Sequence, residues 1–167
     1  MIKKILLFVL VMFPVMIFAQ EKIAYINYAD VITAMPEYKI MVDSLEKDAS
    51  AYDADLKQMS EDYYKKYSEL IAKQDSLNEN IKLRKQQEIQ DLGVNIENFQ
   101  KFTAEEYKKT EQALFMPIQS KAQRAINEVG TENNFLYIIP NSPELLLYIS
   151  PNAVDATPMV KKKLGLQ

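Results

Sequence analysis

The periodicity of apolar residues divides the chain into two kinds of segment. Across 37–130 they recur at three- and four-residue intervals, whereas 22–28 (KIAYINY), 135–139 (FLYII) and 145–149 (LLLYI) are short, dense runs of β-branched, aromatic and aliphatic residues. The first pattern predicts helix and the second predicts strand. Leu45, Tyr52, Leu56, Met59, Tyr63, Tyr67 and Leu70 form a seam with steps of seven, four, three, four, four and three, close to the 3.5-residue repeat of a coiled coil. A second seam runs Ile89, Leu92, Ile96, Phe99, and then Leu114, Ile118, Ala122 and Ile126. Between the seams, 73–80 (KQDSLNEN) is polar, and Ser76 with Glu79 has the S-x-x-E spacing of a capping box that starts a new helix.

The helical pattern fits either an antiparallel hairpin with its tip near 73–80 or one rod of over ninety residues. The strands favour the hairpin. The run at 22–28 has no strand partner in the next hundred residues, and a lone strand is not a stable structure. A hairpin with arms of about 38 residues, reaching roughly 57 Å, returns 135–139 to where 22–28 began, whereas a rod leaves them about 140 Å apart. The run 145–149 follows the turn-rich PNSPE and is expected as a third strand. Thr157 as N-cap, Pro158 at the first helical position and Gly165 as a stop delimit a short terminal helix. The opening strand points Ile23 and Tyr25 one way and Ala24, Ile26 and Tyr28 the other, so both faces of the small sheet are apolar. One chain cannot cover both, and a homo-oligomer closed as a barrel or packed ring would.

The first nineteen residues, MIKKILLFVLVMFPVMIFA, place Lys3 and Lys4 before fourteen apolar residues at 5–18 and then Ala19. That is the layout of a secretory signal cleaved near Ala19, and it is short of the roughly 20 residues of a spanning helix. An uncleaved anchor is the alternative. The expected organisation is a signal peptide at 1–19, a β-body from 20–36 with 131–167, and a helical hairpin at 37–130. Without Lys3 and Lys4 the 20 basic residues fall to 18 against 23 acidic, a net charge of −5, which makes nucleic acid a poor partner. The chain has no cysteine, so neither disulfides nor a lipidated cysteine can hold it.

Three stretches resemble one family. KIAYINYADVITAMPEYKIMVDSLEK at 22–47, PIQSKAQRAINEVGTENNFLYII at 117–139 and DATPMVKKKLGL at 155–166 are similar, in order and spacing, to the periplasmic chaperones called Skp or OmpH-like proteins. The resemblance implies an α+β, mostly α fold: a long antiparallel coiled-coil hairpin projecting from a small β-body that closes as a trimeric barrel. It implies a homotrimer whose arms surround a cavity and hold unfolded outer-membrane β-barrel proteins in the periplasm. Ile23, Tyr25, Ile26, Phe135, Tyr137 and Ile139 would then belong to the trimer body. One departure is charge: 37–130 carries 18 acidic and 14 basic residues, so membrane-surface contact through positive arms is doubtful here.

Catalytic chemistry is not expected. With no histidine and no cysteine there is no Ser-His triad, thiol nucleophile or common zinc set, and no Gly-rich phosphate loop occurs, so no catalytic residue, cofactor or metal is expected. Asp53 with Asp55 and Glu61 with Asp62 read as solubilising residues on solvated helix. Tyr64, Ile71, Phe102 and Tyr107 exceed the needs of the seams. They either broaden the packing between the arms or form an apolar wall for dispersed contacts with an unfolded chain. Lys82, Arg84 and Lys85 near the tip either meet acidic clients or headgroups or form a solvated face. Pro117 is expected to kink the second helix, and Gly93 is a second weak point in it. The rival to an ATP-independent holdase is a spacer or adaptor whose coiled-coil arms dock onto one folded envelope partner.

Overall fold

The computed structural model describes residues 22–166, so the signal peptide expected at 1–19 lies outside the described residues. The chain runs β1 (Lys22–Ile26), α1 (Tyr28–Ala34), α2 (Pro36–Lys73), α3 (Glu79–Glu132), β2 (Phe135–Pro140), β3 (Val154–Asp155) and α4 (Thr157–Lys163). It is mostly helical with one small sheet. Two compact units emerge: 22–31 with 124–166, and Ile32–Gln123.

In the first unit, three strands pair in the order β2-β1-β3, both pairings parallel. Ile23 lies opposite Tyr137, Ala24 opposite Ile138 and Tyr25 opposite Ile139. The run at 22–28 thus finds its partner in 135–139, but the sheet is open, not a closed barrel. Its two faces differ. Ala24 and Ile26 are buried with Val31, Val129 and Val160, and each of the larger side chains, the isoleucine and the three valines, contributes about 1.5–3 kcal/mol. The last turns of α3 lie on this face, where a Cβ placed on Gly130 would stand 3.6 Å from Ile138 Cδ1. Asn134, at φ +54°, then turns the chain from α3 into β2 in the left-handed conformation that a short polar side chain tolerates. Ile23, Tyr25, Tyr137 and Ile139 share the opposite face.

Three expectations for this unit are corrected. The opening strand stops at Ile26 because Asn27 caps a helix: its carbonyl accepts from Val31 N (3.2 Å) and its Oδ1 from Asp30 N (3.2 Å), so Tyr28 belongs to α1. The run 145–149 is not a strand. The Ser142 carbonyl accepts from both Leu145 N (2.9 Å) and Leu146 N (2.8 Å), which winds the segment into a turn, and the third strand is the two-residue β3. Thr157 does not cap its own helix. Asp155 Oδ1 accepts from Thr157 N at 2.8 Å, and the Thr157 hydroxyl accepts instead from Asn27 N at 2.9 Å, tying α4 to the end of β1. Gly165 does stop the helix: at φ +73°, with Gly165 N bonded to Lys162 O and Leu166 N to Lys161 O, it forms a Schellman turn.

The second unit is a hairpin. Glu37 meets Lys121, the rings of Tyr52 and Phe99 lie 6.4 Å apart, Tyr63 packs beside Gly93, and Lys66 meets Glu88. Partners fall along α3 as positions rise along α2, so the helices are antiparallel and the single rod is excluded. The turn starts α3 with Asn78, not Ser76. Asn78 Oδ1 accepts from Ile81 N at 3.0 Å, while the Ser76 hydroxyl is committed to the Lys73 carbonyl at 2.9 Å. Met41, Leu45, Leu70, Ile89, Ile118 and Ala122 are buried along the seam. Between Phe99 and Leu114 the inward positions of α3 are Thr103, Glu106 and Thr110, all half-buried, so this stretch has little apolar packing. Helix α3 continues through Pro117, which deprives the Ala113 carbonyl of its donor at an exposed position where water can replace it. Gly93 sits mid-helix, where glycine costs about 1 kcal/mol relative to alanine.

Candidate functional site

The four side chains singled out on the arms are exposed. Tyr64 is 68%, Phe102 58%, Ile71 48% and Tyr107 38% accessible, so they do not broaden the packing between the helices within this chain. They do not share one face. Tyr64 and Ile71 follow the seam residues Tyr63 and Leu70, and Tyr107 follows Glu106, whereas Phe102 precedes Thr103. In an antiparallel pair, positions just after the seam on both helices look to the same side. One open notch confirms that geometry: Ser60 and Tyr64 of α2 meet Gly93 of α3 across it, with Tyr63 and Ile96 as its inner wall. Tyr64, Ile71 and Tyr107 therefore lie to one side of the hairpin and Phe102 to the other.

Sequence reasoning missed the aromatic cluster at this notch. Tyr63 stacks on Tyr67 (6.4 Å, 8° between planes) and takes the edge of Tyr64 (5.5 Å, 82°). Ser60, Tyr64, Tyr67 and Ile71, at steps of four, three and four, form one stripe on α2. That spacing is present in the sequence, but Tyr67 also fits the coiled-coil seam, which masks the stripe.

At the tip, Lys82 reaches Glu79 at 3.9 Å, while Arg84 lines an open polar groove with Gln87, Glu88, Asp91, Leu92 and Asn95. Glu88 is held below the usual carboxylate range by its hydrogen bond from Lys66, aided by the charges of Lys66, Lys85 and Arg84; Lys66 is raised in return. Glu37 is likewise lowered, first by the hydrogen bond from Lys121 and then by its own backbone N–H, with burial opposing. These pairs fasten arm to arm. They do not assemble an acid and base around a reacting atom, and among the described residues no group of three or more His, Cys, Asp or Glu side chains can hold a metal ion.

In the sheet unit, Ile26 is enclosed within the chain. Ile23 and Tyr137 are exposed, and Tyr25, Phe135 and Ile139 are half-buried. The segment after the Ser142 turn folds back over this face, leaving a cavity of about 160 Å³ lined by Ile23, Tyr25, Ile139, Leu146, Tyr148 and Ile149. Leu145 and Tyr148 are largely exposed and Leu147 is 98% accessible. Such a run of bare apolar side chains marks a contact surface.

Among the described residues no helix is long and apolar enough to cross a membrane. The family model for outer membrane protein (OmpH-like) matches residues 22–164. No curated protein matches the chain. Among solved structures, the OmpH-like protein of Caulobacter crescentus CB15, described as a proposed outer membrane chaperone, is similar at 14% identity with a TM-score of 0.74. The match covers 87% of this chain and 85% of that one, and it shows a shared fold. With the family match spanning all three strands, both arms and the terminal helix, the chain belongs to the OmpH-like family.

Proposed function

We propose that the protein is an ATP-independent periplasmic holdase, a chaperone that keeps unfolded outer-membrane β-barrel proteins from aggregating. The observation that carries this reading is the set of bare apolar side chains along a slender hairpin, led by Tyr64, Tyr67, Ile71 and Phe102, on arms otherwise covered by charge. Contacts of this kind need no fixed partner geometry, and an unfolded chain offers none. Membership of the OmpH-like family and the fold shared with a protein described as a proposed outer membrane chaperone support it. In this reading the arms enclose the client, the signal at 1–19 exports the chain, and the exposed face around Ile23, Tyr137 and Leu147 is covered by two further copies in a homotrimer. The open sheet supports that assembly, since β2 and β3 leave two different free edges that cyclic copies can pair.

The test is an aggregation assay with an outer-membrane barrel protein diluted from urea, without nucleotide. Suppressed turbidity at near-stoichiometric protein is expected. Aggregation at the uncatalysed rate, with binding confined to one folded envelope protein, would favour the adaptor reading.

A further inference from the structure

We infer that the notch between Tyr64 and Gly93 is a discrete docking point for one uncharged aromatic side chain of an extended client. This rests on the holdase reading but goes beyond dispersed contacts, because it assigns one site and one ligand chemistry. The notch has a volume of about 240 Å³ and is lined by Ser60, Tyr63, Tyr64, Gly93 and Ile96. Its walls carry no charge. The Ser60 hydroxyl is committed to the Leu56 carbonyl at 2.8 Å, so it presents no free donor to a ligand. Of the ions nearby, Lys57 pairs with Glu61, Lys66 with Glu88 and Lys101 with Glu97. Electrostatic complementarity to these uncharged walls calls for an uncharged partner. The rings of Tyr63 and Tyr64 line the notch, and a further ring can meet them stacked or edge-on, the two arrangements that aromatic groups prefer.

Gly93 is the second observation. Glycine opposes the helix here, yet packing does not require it. A Cβ at this position would meet Tyr63 Cε2 at 3.7 Å, an ordinary contact, so alanine fits without displacing anything. A residue that breaks a local rule without a packing reason points to function. The absent side chain leaves the floor of the notch open.

The chain has no tryptophan, so the fluorescence of a tryptophan in a ligand reports that ligand alone. The probe is an uncharged, soluble twelve-residue Ser/Thr-rich peptide with a single central Trp, compared with its Trp→Ser counterpart. The intact mature protein should shift the Trp emission to the blue and bind the Trp peptide more tightly than the Ser peptide. Gly93→Ala should raise the thermal midpoint and weaken the Trp peptide measurably, and Gly93→Leu, which fills the floor, should weaken it by roughly tenfold or more. Tyr64→Ser, at an exposed position, checks the opposite wall and should also weaken it. Equal affinity of the protein for both peptides, or unchanged binding in Gly93→Leu with helicity retained, overturns the inference. The turbidity assay run alongside separates the two readings. Suppressed aggregation with no Trp preference removes the notch and leaves the holdase; Trp docking that Gly93→Leu abolishes, without suppression, does the reverse.

Discussion

Single residues hold the chain ends and the arms together, and their removal should be measurable. Asn27 N at the end of β1 donates to the buried Thr157 hydroxyl, a bond spanning 130 positions of sequence. Thr157→Val keeps the shape and removes the acceptor, leaving that donor unpaired at a cost of about 1–3 kcal/mol. A lowered midpoint in urea with unchanged slope is the expected result, and Thr157→Ser should recover most of it. The arm-to-arm ion pairs act through pH. Glu37 and Glu88 both titrate below the ordinary carboxylate value of 4.5, so their stabilisation is complete above that value and is lost as pH falls through their lowered pKa values. Lys66 is raised, so its share persists until pH climbs past the ordinary lysine value of 10.5. Thermal unfolding followed by circular dichroism should therefore show a loss of stability on acidification below the ordinary carboxylate value of 4.5. The loss should be small because both pairs are solvent-screened, and it should be shallower in a Glu37→Gln/Glu88→Gln double variant. An identical acid slope in that variant would show that other carboxylates carry the effect.

Elements were legible where one period ran long. The seams at 45–70 and 89–126 announced two helices, and the polar 73–80 announced the break, because burying one face against a second helix imposes a repeat that local sequence cannot hide. Short elements were less legible. Tyr28, the first residue of 28–34 (YADVITA), reads as the end of the opening strand, since the deciding signal is the side chain of Asn27 closing a turn at the helix start. LLLYI has strong strand composition, yet the N–H groups of its first two residues go to Ser142, a choice made by hydrogen bonding and not by propensity. The same reasoning relocates a cap. Asn78→Ala should destabilise the hairpin by about 1 kcal/mol, whereas Ser76→Ala should matter less, and the two unfolding midpoints compare them directly. The exposed side chains of the candidate site were nameable from excess bulk beside a seam. That they fall on two sides was hidden until the contacts fixed the phase of each helix.

At the scale of the whole molecule, an open sheet and a two-sided hairpin limit how the chain can act. Deleting 22–28 would strip β2 and β3 of the central strand that both pair with and bare the inner face, so a loss of oligomer by light scattering is expected, and a stable monomer for the intact chain would remove the trimer proposal. The hairpin poses the sharper question, since a client lying along an arm meets one side of it. Tyr64, Ile71 and Tyr107 look one way and Phe102 the other, so the four cannot contribute equally to one contact. Each exposed side chain held loosely against a partly wet client contributes only a fraction of the binding energy. Single changes to Ser should thus alter client retention little. Changing Tyr64, Ile71 and Tyr107 together should weaken retention several-fold, with helical content preserved because the seam at Leu56, Met59, Leu92 and Ile96 is untouched. Adding Phe102→Ser to the triple variant should then change little if that side faces solvent. Added salt should not release the client, because the contact is apolar and the arms are acidic overall. Retention of an unfolded barrel protein, measured at low and high salt beside circular dichroism, decides the matter. A triple variant that folds and retains its client unchanged would end the apolar-wall mechanism on that side, and a loss produced by Phe102→Ser alone would move the client to the other.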